Sequence, residues 1–360
     1  MPEITVLSPF SLRNASSLFA LNQVAAFNAV RLASAQSAIV ADFQGQINAV
    51  NLTADKSFDL QADLKASVDL LQSLVNRVTN IRNFTDNLLS TVVQSASAGP
   101  TLEFAANARN FDVFLSRLTS EANSGRDNPN LLAQSVNRSL TYQVTESGAS
   151  QTLAGQFLGT DYTITDTGGQ VWVREGNFTK VLRRTDSVTG QPTGEFAAIT
   201  GGIRLDSFNS TTDEVVFTIA PESADATQFT GTLSRKGLGF LDAWLYAGLE
   251  TSAGRDRAIV DIEEAKRTID LELARYGSAL TTAEFYEGRV GVQLNSFAGR
   301  IDELTISQAI ALQETEVQIG REDALTVTLA AGNLAVRNEY LNLFTVGRSA
   351  FVDSLINVLA

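Results

Sequence analysis

Few side chains in this chain could do chemistry, because the sequence contains neither cysteine nor histidine. Disulfides, thiol nucleophiles, Cys/His zinc sites, haem ligation by histidine and every triad with an imidazole base are therefore excluded. The groups that remain for catalysis are carboxylates, lysine, tyrosine and serine, with or without an oxygen-ligated metal ion. Since no constellation of these groups stands out, we expect no catalytic residue, no cofactor-binding residue, no cofactor and no enzymatic activity.

Three carboxylates are the best candidates for binding a metal ion. Asp161, Asp166 and Asp186 lie near predicted turns and carry the oxygen ligands that calcium prefers. Their spacing matches neither an EF-hand loop nor a glycine–aspartate repeat, so we expect solvated turn carboxylates and no metal site. Trp172 and Trp244 are expected to anchor hydrophobic cores and not to bind a ligand.

The charge balance and the hydropathy limit the possible partners. The formal net charge of −13 disfavours nucleic acid and anionic membrane surfaces, because both attract basic patches, so neither partner is predicted. No stretch approaches eighteen consecutive apolar residues, and the first residues lack the basic and apolar regions of a cleaved signal. The sequence therefore predicts no transmembrane helix and no such signal.

The longest regular pattern is an apolar heptad from Ile262 to Leu304. Ten of its twelve alternating steps of three and four residues fall on apolar or aromatic residues, and no proline follows Pro221. The pattern predicts a narrow stripe on a helix about 65 Å long, which needs a partner helix. Similar runs at 64–92 and 104–122 supply partners within the chain. The predicted intramolecular seam comprises Leu71, Leu74, Val78, Ile81, Leu88, Phe111, Leu115, Leu118, Ile269, Leu273, Leu280, Val290, Leu294, Phe297, Ile301 and Leu304.

Weaker apolar stripes lie at both ends of the chain, at 18–50 and 324–359. An apolar terminus exposed to water is sticky, so these stripes favour an assembly in which they become buried, with a closed oligomer or an intramolecular bundle as the alternative. A joint is expected at 51–55, before the next helix. The predicted assembly contacts are Leu18, Leu21, Leu32, Ile39, Leu334, Leu341, Phe344, Phe351, Val352, Leu355 and Leu359.

The middle of the chain has the texture of β-structure. Segments such as Tyr162–Thr165, Val171–Val173 and Val215–Ile219 are rich in β-branched and aromatic residues and are separated by paired glycines. Helix is expected to resume near Gly239–Trp244. The fold class predicted is therefore mainly α, a long antiparallel coiled-coil bundle from both termini with a small antiparallel β module between them. The predicted domains are an N-terminal assembly helix (1–50), two halves of a helical bundle (51–135 and 237–312), a β-rich surface domain (136–236) and a C-terminal assembly helix (313–360).

Three windows of this helical frame resemble bacterial flagellin and its hook-associated relatives. Leu74–Phe84 resembles a flagellin stretch in which a leucine/isoleucine repeat leads into an Ile-Arg pair. Phe111–Leu118, followed by Ala122–Gly125 and Asn130–Leu132, resembles the helix, Ala-Asn loop and Asn-x-Leu-Leu segment of that family. Ala265–Asp270 is similar to the family's returning helix.

The resemblance implies a structural subunit and not an enzyme. Such a subunit is secreted, forms an extracellular flagellar-type filament with copies of itself through its terminal helices, and exposes its β domain on the outside. An export chaperone and cap or junction proteins are the further partners that the resemblance implies. The alternative is a hook-associated junction or adhesin-type binding protein that does not itself form long filaments.

Overall fold

The structure is a computed structural model that describes residues 9–97, 101–125, 129–134, 138–145, 148–175 and 181–359. Two long helices and one shorter helix flank a β region. The helices are α1 (Pro9–Ala96), α2 (Thr101–Asn123) and α3 (Ser252–Leu359), and a 3₁₀ segment spans Ala243–Leu249. This architecture confirms the predicted fold class of long helices from both ends with an antiparallel β region between them.

Within the described residues, nine strands form two antiparallel sheets. Their bounds are β1 (Ser139–Gln143), β2 (Ser150–Ala154), β3 (Thr160–Asp166), β4 (Val171–Glu175), β5 (Val181–Thr185), β6 (Pro192–Ala198), β7 (Ile203–Asn209), β8 (Glu214–Ile219) and β9 (Thr227–Gly237). Strands β1 and β2 form a hairpin, and the other seven follow the order β6-β5-β4-β3-β9-β8-β7. One face of the larger sheet is stabilised by contacts between three aromatic rings. The Trp172 ring packs edge-on against the rings of Phe217 and Phe229, which stack on each other.

The chain divides into two compact units. The terminal unit comprises 1–56 and 292–360, and the central unit comprises 57–291 and contains both sheets. The domain boundaries predicted from the sequence remain predictions. The predicted joint at 51–55 is wrong, because α1 is continuous through these residues. Polar residues such as Asn51 and Thr53 are tolerated on the exposed side of a helix when its other side is packed.

In the central unit α1 and α3 form an antiparallel coiled coil. Two ion pairs show the direction: Lys266 lies 3.0 Å from Asp86, and Arg82 lies 2.8 Å from Asp270. From the first pair to the second, the residue number on α1 decreases by four while the residue number on α3 increases by four, as expected for antiparallel helices. The least exposed α1 residues run from Leu60 to Ser95 in ten steps over 35 residues, a period of 3.5. That period is the one that keeps a stripe facing its partner in a left-handed supercoil.

Arg77 locks the end of α2 onto α1. Its side chain is buried, and its guanidinium donates hydrogen bonds to the Glu121 oxygen (2.5 Å), the Ala122 oxygen (3.1 Å) and Asn130 Oδ1 (3.2 Å). Asn130 in turn donates to the carbonyls of Ala122 (3.2 Å) and Ser124 (2.9 Å). A cation and an amide thus satisfy the last carbonyls of α2, where the helix dipole favours positive charge. Two of the windows that carry the family resemblance meet at this point.

The sequence predicted that an α-helix resumes near Gly239–Trp244, and this prediction is wrong. Gly239–Trp244 precedes and enters the 3₁₀ segment, and the α-helix starts only at Ser252. Ala247, Gly248 and Leu249 all have positive φ, from 52° to 65°, which interrupts any helix. Gly254 is required in the first turn of α3, because a Cβ there would overlap the Tyr246 carbonyl oxygen. The positive φ angles at 247–249 and the close contact at Gly254 therefore delay the start of the α-helix to Ser252.

One segment meets a test for a membrane-spanning helix. Within 22–96, one window of 18 residues has a mean hydropathy of 1.3, and only 6% of it is buried. Core helices of soluble proteins and signal sequences pass the same test, so this is a weak indication of a membrane span. The prediction of no transmembrane helix is neither confirmed nor contradicted by this weak indication and remains a prediction. Counting consecutive apolar residues missed the window because polar residues interrupt it.

Candidate assembly surface on the terminal helices

Within the terminal unit, each long helix has an inner stripe of less exposed side chains. On α1 the inner stripe steps from Val24 to Ala54 in eight steps over 30 residues, a period of 3.75. On α3 it steps from Leu294 to Asp323 in eight steps over 29 residues, a period of 3.6. These periods match or exceed that of a straight α-helix, so the left-handed heptad of the central unit does not apply to the inner stripes.

Polar contacts fix where the two inner stripes meet. The Asn28 amide donates a hydrogen bond to Asp323 Oδ1, and Arg31 forms an ion pair with Glu322. Asn28 and Ile319 are buried, whereas most neighbours on the inner stripes are half-exposed. A stripe that keeps one buried amide and many half-exposed apolar residues is packed less completely than the central seam.

A second apolar surface lies on the opposite side of each terminal helix. At 100° per residue, Val30 and Leu52 lie almost opposite the inner stripe of α1, whereas Phe27 and Val40 lie about a quarter of a turn from it, on either flank. On α3, the exposed apolar side chains from 292 to 317 lie opposite the inner stripe of that helix. The exposed apolar side chains after 317 are rotated around the helix axis by part of a turn relative to them. We call this set the outer stripe. It comprises Phe19, Phe27, Val30, Val40 and Leu52 on α1, and Val292, Ile306, Ile310, Val317, Leu325, Leu329, Val336, Tyr340 and Leu343 on α3.

The outer stripe is unusual in its exposure. Phe27 is 67% exposed, Val30 66% and Leu325 65%. Of the large apolar side chains that are exposed in the described part of the chain, the majority belong to the smaller, terminal unit. A helix that is apolar on two opposite sides cannot bury both against one partner helix. The terminal unit therefore presents a two-sided apolar surface.

The predicted assembly contacts divide into two groups. Leu32 and Ile39 are half-buried and lie on the inner stripe of α1, and Leu334 is half-buried beyond the end of the inner stripe of α3. The side chains of the others lie outside the described residues: Leu18, Leu21, Leu341, Phe344, Phe351, Val352, Leu355 and Leu359. Their role in assembly remains a prediction. Sequence reasoning missed the outer stripe because it searched for one stripe per helix. Testing the opposite side at the same period would have found Val30 and Leu52.

The predicted seam residues lie in the central and terminal units. Leu71, Leu74, Val78, Ile81, Leu88, Phe111, Leu115, Leu118 and Ile269 are fully buried, and Val290 and Leu304 are nearly so. Leu273, Leu280, Leu294, Phe297 and Ile301 are half-buried. Their pairing role is consistent with this burial and remains a prediction for each residue.

At every second position of the predicted heptad on α3 between 266 and 280, the buried residue is the one immediately before the predicted residue. Ala265, Glu272 and Ala279 are 1%, 3% and 7% exposed, whereas Lys266, Leu273 and Leu280 are half-exposed. Small residues allow the β1–β2 hairpin to approach the helix: the Tyr142 hydroxyl donates to the Ala279 carbonyl at 3.3 Å. Arg275 donates to the carbonyl of Ala154 at 2.7 Å and pairs with Glu272. The hairpin thus shares this part of the seam.

The three carboxylates considered as metal ligands accept hydrogen bonds from nearby groups. Asp161 accepts one from the Gln134 side-chain amide at 2.8 Å. Asp166 is buried and accepts hydrogen bonds from Arg184 Nε (2.8 Å), Trp172 Nε1 (3.3 Å) and the backbone of Gly168 (2.9 Å). Burial alone would raise the pKa of Asp166, but hydrogen bonds from Arg184 and from the backbone of Gln170 and Gly168, together with the Arg184 charge, outweigh it and lower the pKa. Asp186 caps the turn at Thr189, which lowers the pKa of Asp186. Within the described residues no group of three or more acidic side chains could hold a metal ion.

A buried polar cluster joins the larger sheet to the 3₁₀ segment. The Tyr162 hydroxyl donates to Asp242 Oδ2 at 2.6 Å, Trp244 Nε1 donates to the Tyr162 oxygen at 3.2 Å, and Arg174 lies 3.5 Å from Asp242. Burial, together with the neighbouring Asp242 charge, raises the pKa of Tyr162 well above its ordinary value. Each buried group here has a partner, which is the pattern of a structural network.

Comparison with known proteins gives limited similarity. No protein-family model matches the chain, and no curated protein matches it. Among solved structures, FliC from Burkholderia pseudomallei is 17% identical, with a TM-score of 0.28, and the match covers 60% of this chain and 99% of that one. FlgL from Xanthomonas campestris is 13% identical, with a TM-score of 0.25, covering 76% of this chain and 99% of that one. Both TM-scores are below 0.5.

Proposed function

We propose that this chain is a structural subunit that assembles with copies of itself through the outer stripe of its terminal unit. The observation that carries the proposal is the two-sided apolar character of the terminal helices. Their inner stripes have a partner within the chain, whereas their outer stripe is exposed. A second copy of the chain offers the same apolar side chains on helices of matching length, which makes it the best-suited occupant.

The central unit supports the same proposal by contrast. Its core is closed by fully buried leucines and aromatics, such as Leu74, Phe111 and Trp172, and by the Arg77 lock. A unit of this kind folds by its own contacts, while the terminal unit gains most of its burial on association. Ordering entropy is then coupled to assembly, because side chains on the outer stripe become fixed only when a neighbour covers them.

The form of the assembly is part of the proposal. The proposed contact is heterologous: the α1 part of the outer stripe in one copy packs against the α3 part in the next copy, and a heterologous contact that does not close on itself gives an open filament. With the sequence resemblance to flagellins, this supports a secreted, extracellular flagellar-type filament with the β domain outside, aided by an export chaperone and by cap or junction proteins. No catalytic activity is proposed.

A matched pair of substitutions tests the assembly surface. Val30→Glu places a charge on the outer stripe, and Val188→Glu makes the same change at a side chain that is 91% exposed in the central unit. Burying a valine contributes about 1.5 kcal/mol and burying an unpaired carboxylate costs several more. Val30→Glu should therefore raise the critical concentration for assembly by more than about tenfold.

Sedimentation after salting-out and seeding measures the effect. Wild type and Val188→Glu should pellet at the same concentration, and Val30→Glu should remain in the supernatant. Equal pelleting of all three proteins would refute the role of the outer stripe. Wild type that stays monodisperse under every condition would favour the junction or adhesin alternative.

A further inference from the structure

We propose that a cleft in the central unit binds a small acidic sugar. The cleft has a volume of about 720 Å³ and lies between α2, the turn from β6 to β7, and the 3₁₀ segment with the residues that follow it. This volume is within the range of small-molecule sites, roughly 300–1,000 Å³. The inference concerns the central unit alone and does not depend on assembly by the terminal unit.

The charged residues that line the cleft are two arginines and two acidic residues, Asp112 and Glu250. Arg109 and Arg204 both line it and are exposed to solvent. Arg109 uses Nε to donate to the Ala105 carbonyl at 3.3 Å, and Arg204 uses Nε to donate to Asp206 at 3.1 Å. In the described part of the chain, the terminal nitrogens of both side chains make no hydrogen bond. Guanidinium groups with available terminal nitrogens suit a carboxylate, which accepts two parallel hydrogen bonds.

A buried hydroxyl in the cleft wall lacks a partner. Thr200 Oγ1 is one of two buried side-chain polar atoms without a hydrogen-bond partner among the described residues, and Thr200 lines the cleft. A buried polar atom left without a partner is costly, roughly 1–3 kcal/mol, so its persistence calls for an explanation. Contact between a ligand hydroxyl and Oγ1 requires the cleft wall to move, because less than 1 Å² of this atom is accessible.

The remaining wall provides an acceptor and apolar surface. The Glu250 carboxylate lines the cleft and makes no hydrogen bond to any described residue, so it can accept from ligand hydroxyls. Ala105, Ala108 and Ile199 supply small apolar surface against which the C–H face of a sugar ring can pack. Donors, an acceptor and apolar surface together fit a hydroxylated anion better than a bare anion.

The backbone at one edge of the cleft is strained. Ala247 and Gly248 line the cleft, and Ala247, with φ 52° and ψ 41°, is in the left-handed region that non-glycine residues rarely adopt. Such residues cluster at ligand sites, where the surrounding structure holds them in place. This strain is a second feature, independent of the polar groups, that is typical of a binding site.

Calorimetric titration of the full chain with sodium glucuronate tests the proposal, with glucose and sodium phosphate as comparison probes. We expect glucuronate to bind at least about tenfold more tightly than either. Equal binding of glucose would overturn the role of the arginines, and equal binding of phosphate would overturn the role of the sugar ring. Absence of heat with glucuronate up to millimolar concentrations, together with no saturation-transfer signal in NMR, would overturn the site.

Variants locate the binding to the cleft. Arg109→Gln and Arg204→Gln should each weaken glucuronate binding about tenfold or more, and Ala108→Phe should abolish it by filling the space. The matched control is Arg267→Gln, at an exposed arginine on α3 outside the cleft. Circular dichroism checks that each variant is folded. Equal affinity in Arg109→Gln, Arg204→Gln and Arg267→Gln would contradict the assignment.

Discussion

Replacement of Arg77 by methionine should destabilise the central unit far more than an equivalent change nearby. Methionine keeps most of the apolar stem but removes the guanidinium, which donates to two carbonyls at the end of α2 and to Asn130. Hydrogen bonds from charged groups contribute roughly 1.5–3 kcal/mol each, but such contributions are not additive, and each orphaned carbonyl costs about 1–3 kcal/mol. We therefore expect a loss of about 3–5 kcal/mol in the free energy of unfolding, the range found when one partner of a buried charged network is removed.

Arg82→Met is the control, because Arg82 lies on the same helix and also forms an ion pair. Its side chain is 44% exposed and that of its partner Asp270 is 49% exposed, so the pair contributes little, about 0–1 kcal/mol. Urea unfolding followed by tryptophan fluorescence reports on the central unit, since Trp172 and Trp244 both belong to it. If the two variants lowered stability by equal amounts, the reasoning that buried helix-end carbonyls depend on Arg77 would be refuted.

Three further predictions concern single residues of the central unit. Ala247→Gly should relieve a left-handed backbone conformation and raise the free energy of unfolding by about 0.5–1 kcal/mol. Gly254→Ala should lower the free energy of unfolding by about 2 kcal/mol, because the added Cβ meets the Tyr246 carbonyl. Thermal unfolding midpoints that moved in the same direction in both variants would contradict these two expectations. The lowered pKa of Asp166 means that its carboxylate stabilises the fold above its ordinary pKa and loses this effect as pH falls through the lowered value. The difference in urea midpoint between wild type and Asp166→Asn should therefore shrink between pH 7 and pH 2, and a constant difference would count against it. Burial raises the pKa of Tyr276 to about 12, so its stabilising effect should be complete below pH 10 and lost as pH rises through 12. Absorbance titration of phenolate in Tyr276→Phe should lose a component near pH 12, and an unchanged profile would be the opposing result.

The helical frame could be predicted from the sequence because its signals are local and repeated. Absence of proline after Pro221 and the heptad spacing from Ile262 onward suffice to indicate a long helix with a partner. The burial of Ala265, Glu272 and Ala279 was not predicted, because alanine is only weakly hydrophobic and glutamate is usually exposed to water. Only the β1–β2 hairpin, with Tyr142 close to the helix, explains why small side chains face inward there.

The sheet order and the cleft could not be predicted because they depend on contacts between distant residues. Strand β3 pairs with β9 across about seventy residues, and the Ala243 amide donates to Asp112 over a separation of 131 residues. Nothing in the local sequence of Arg109, Thr200 or Arg204 reveals that they share a cleft. The outer stripe is an intermediate case: its residues have helical spacing, but the inner stripe was the stronger pattern and concealed it.

Negative-stain electron microscopy of the concentrated full-length chain, after salting-out and seeding, tests the central claim most directly. Assembly through the outer stripe predicts long fibres of uniform diameter in wild type and in Val188→Glu, and their absence in Val30→Glu. Fields of separate particles in wild type at every concentration, or fibres of the same appearance in Val30→Glu, would contradict the account.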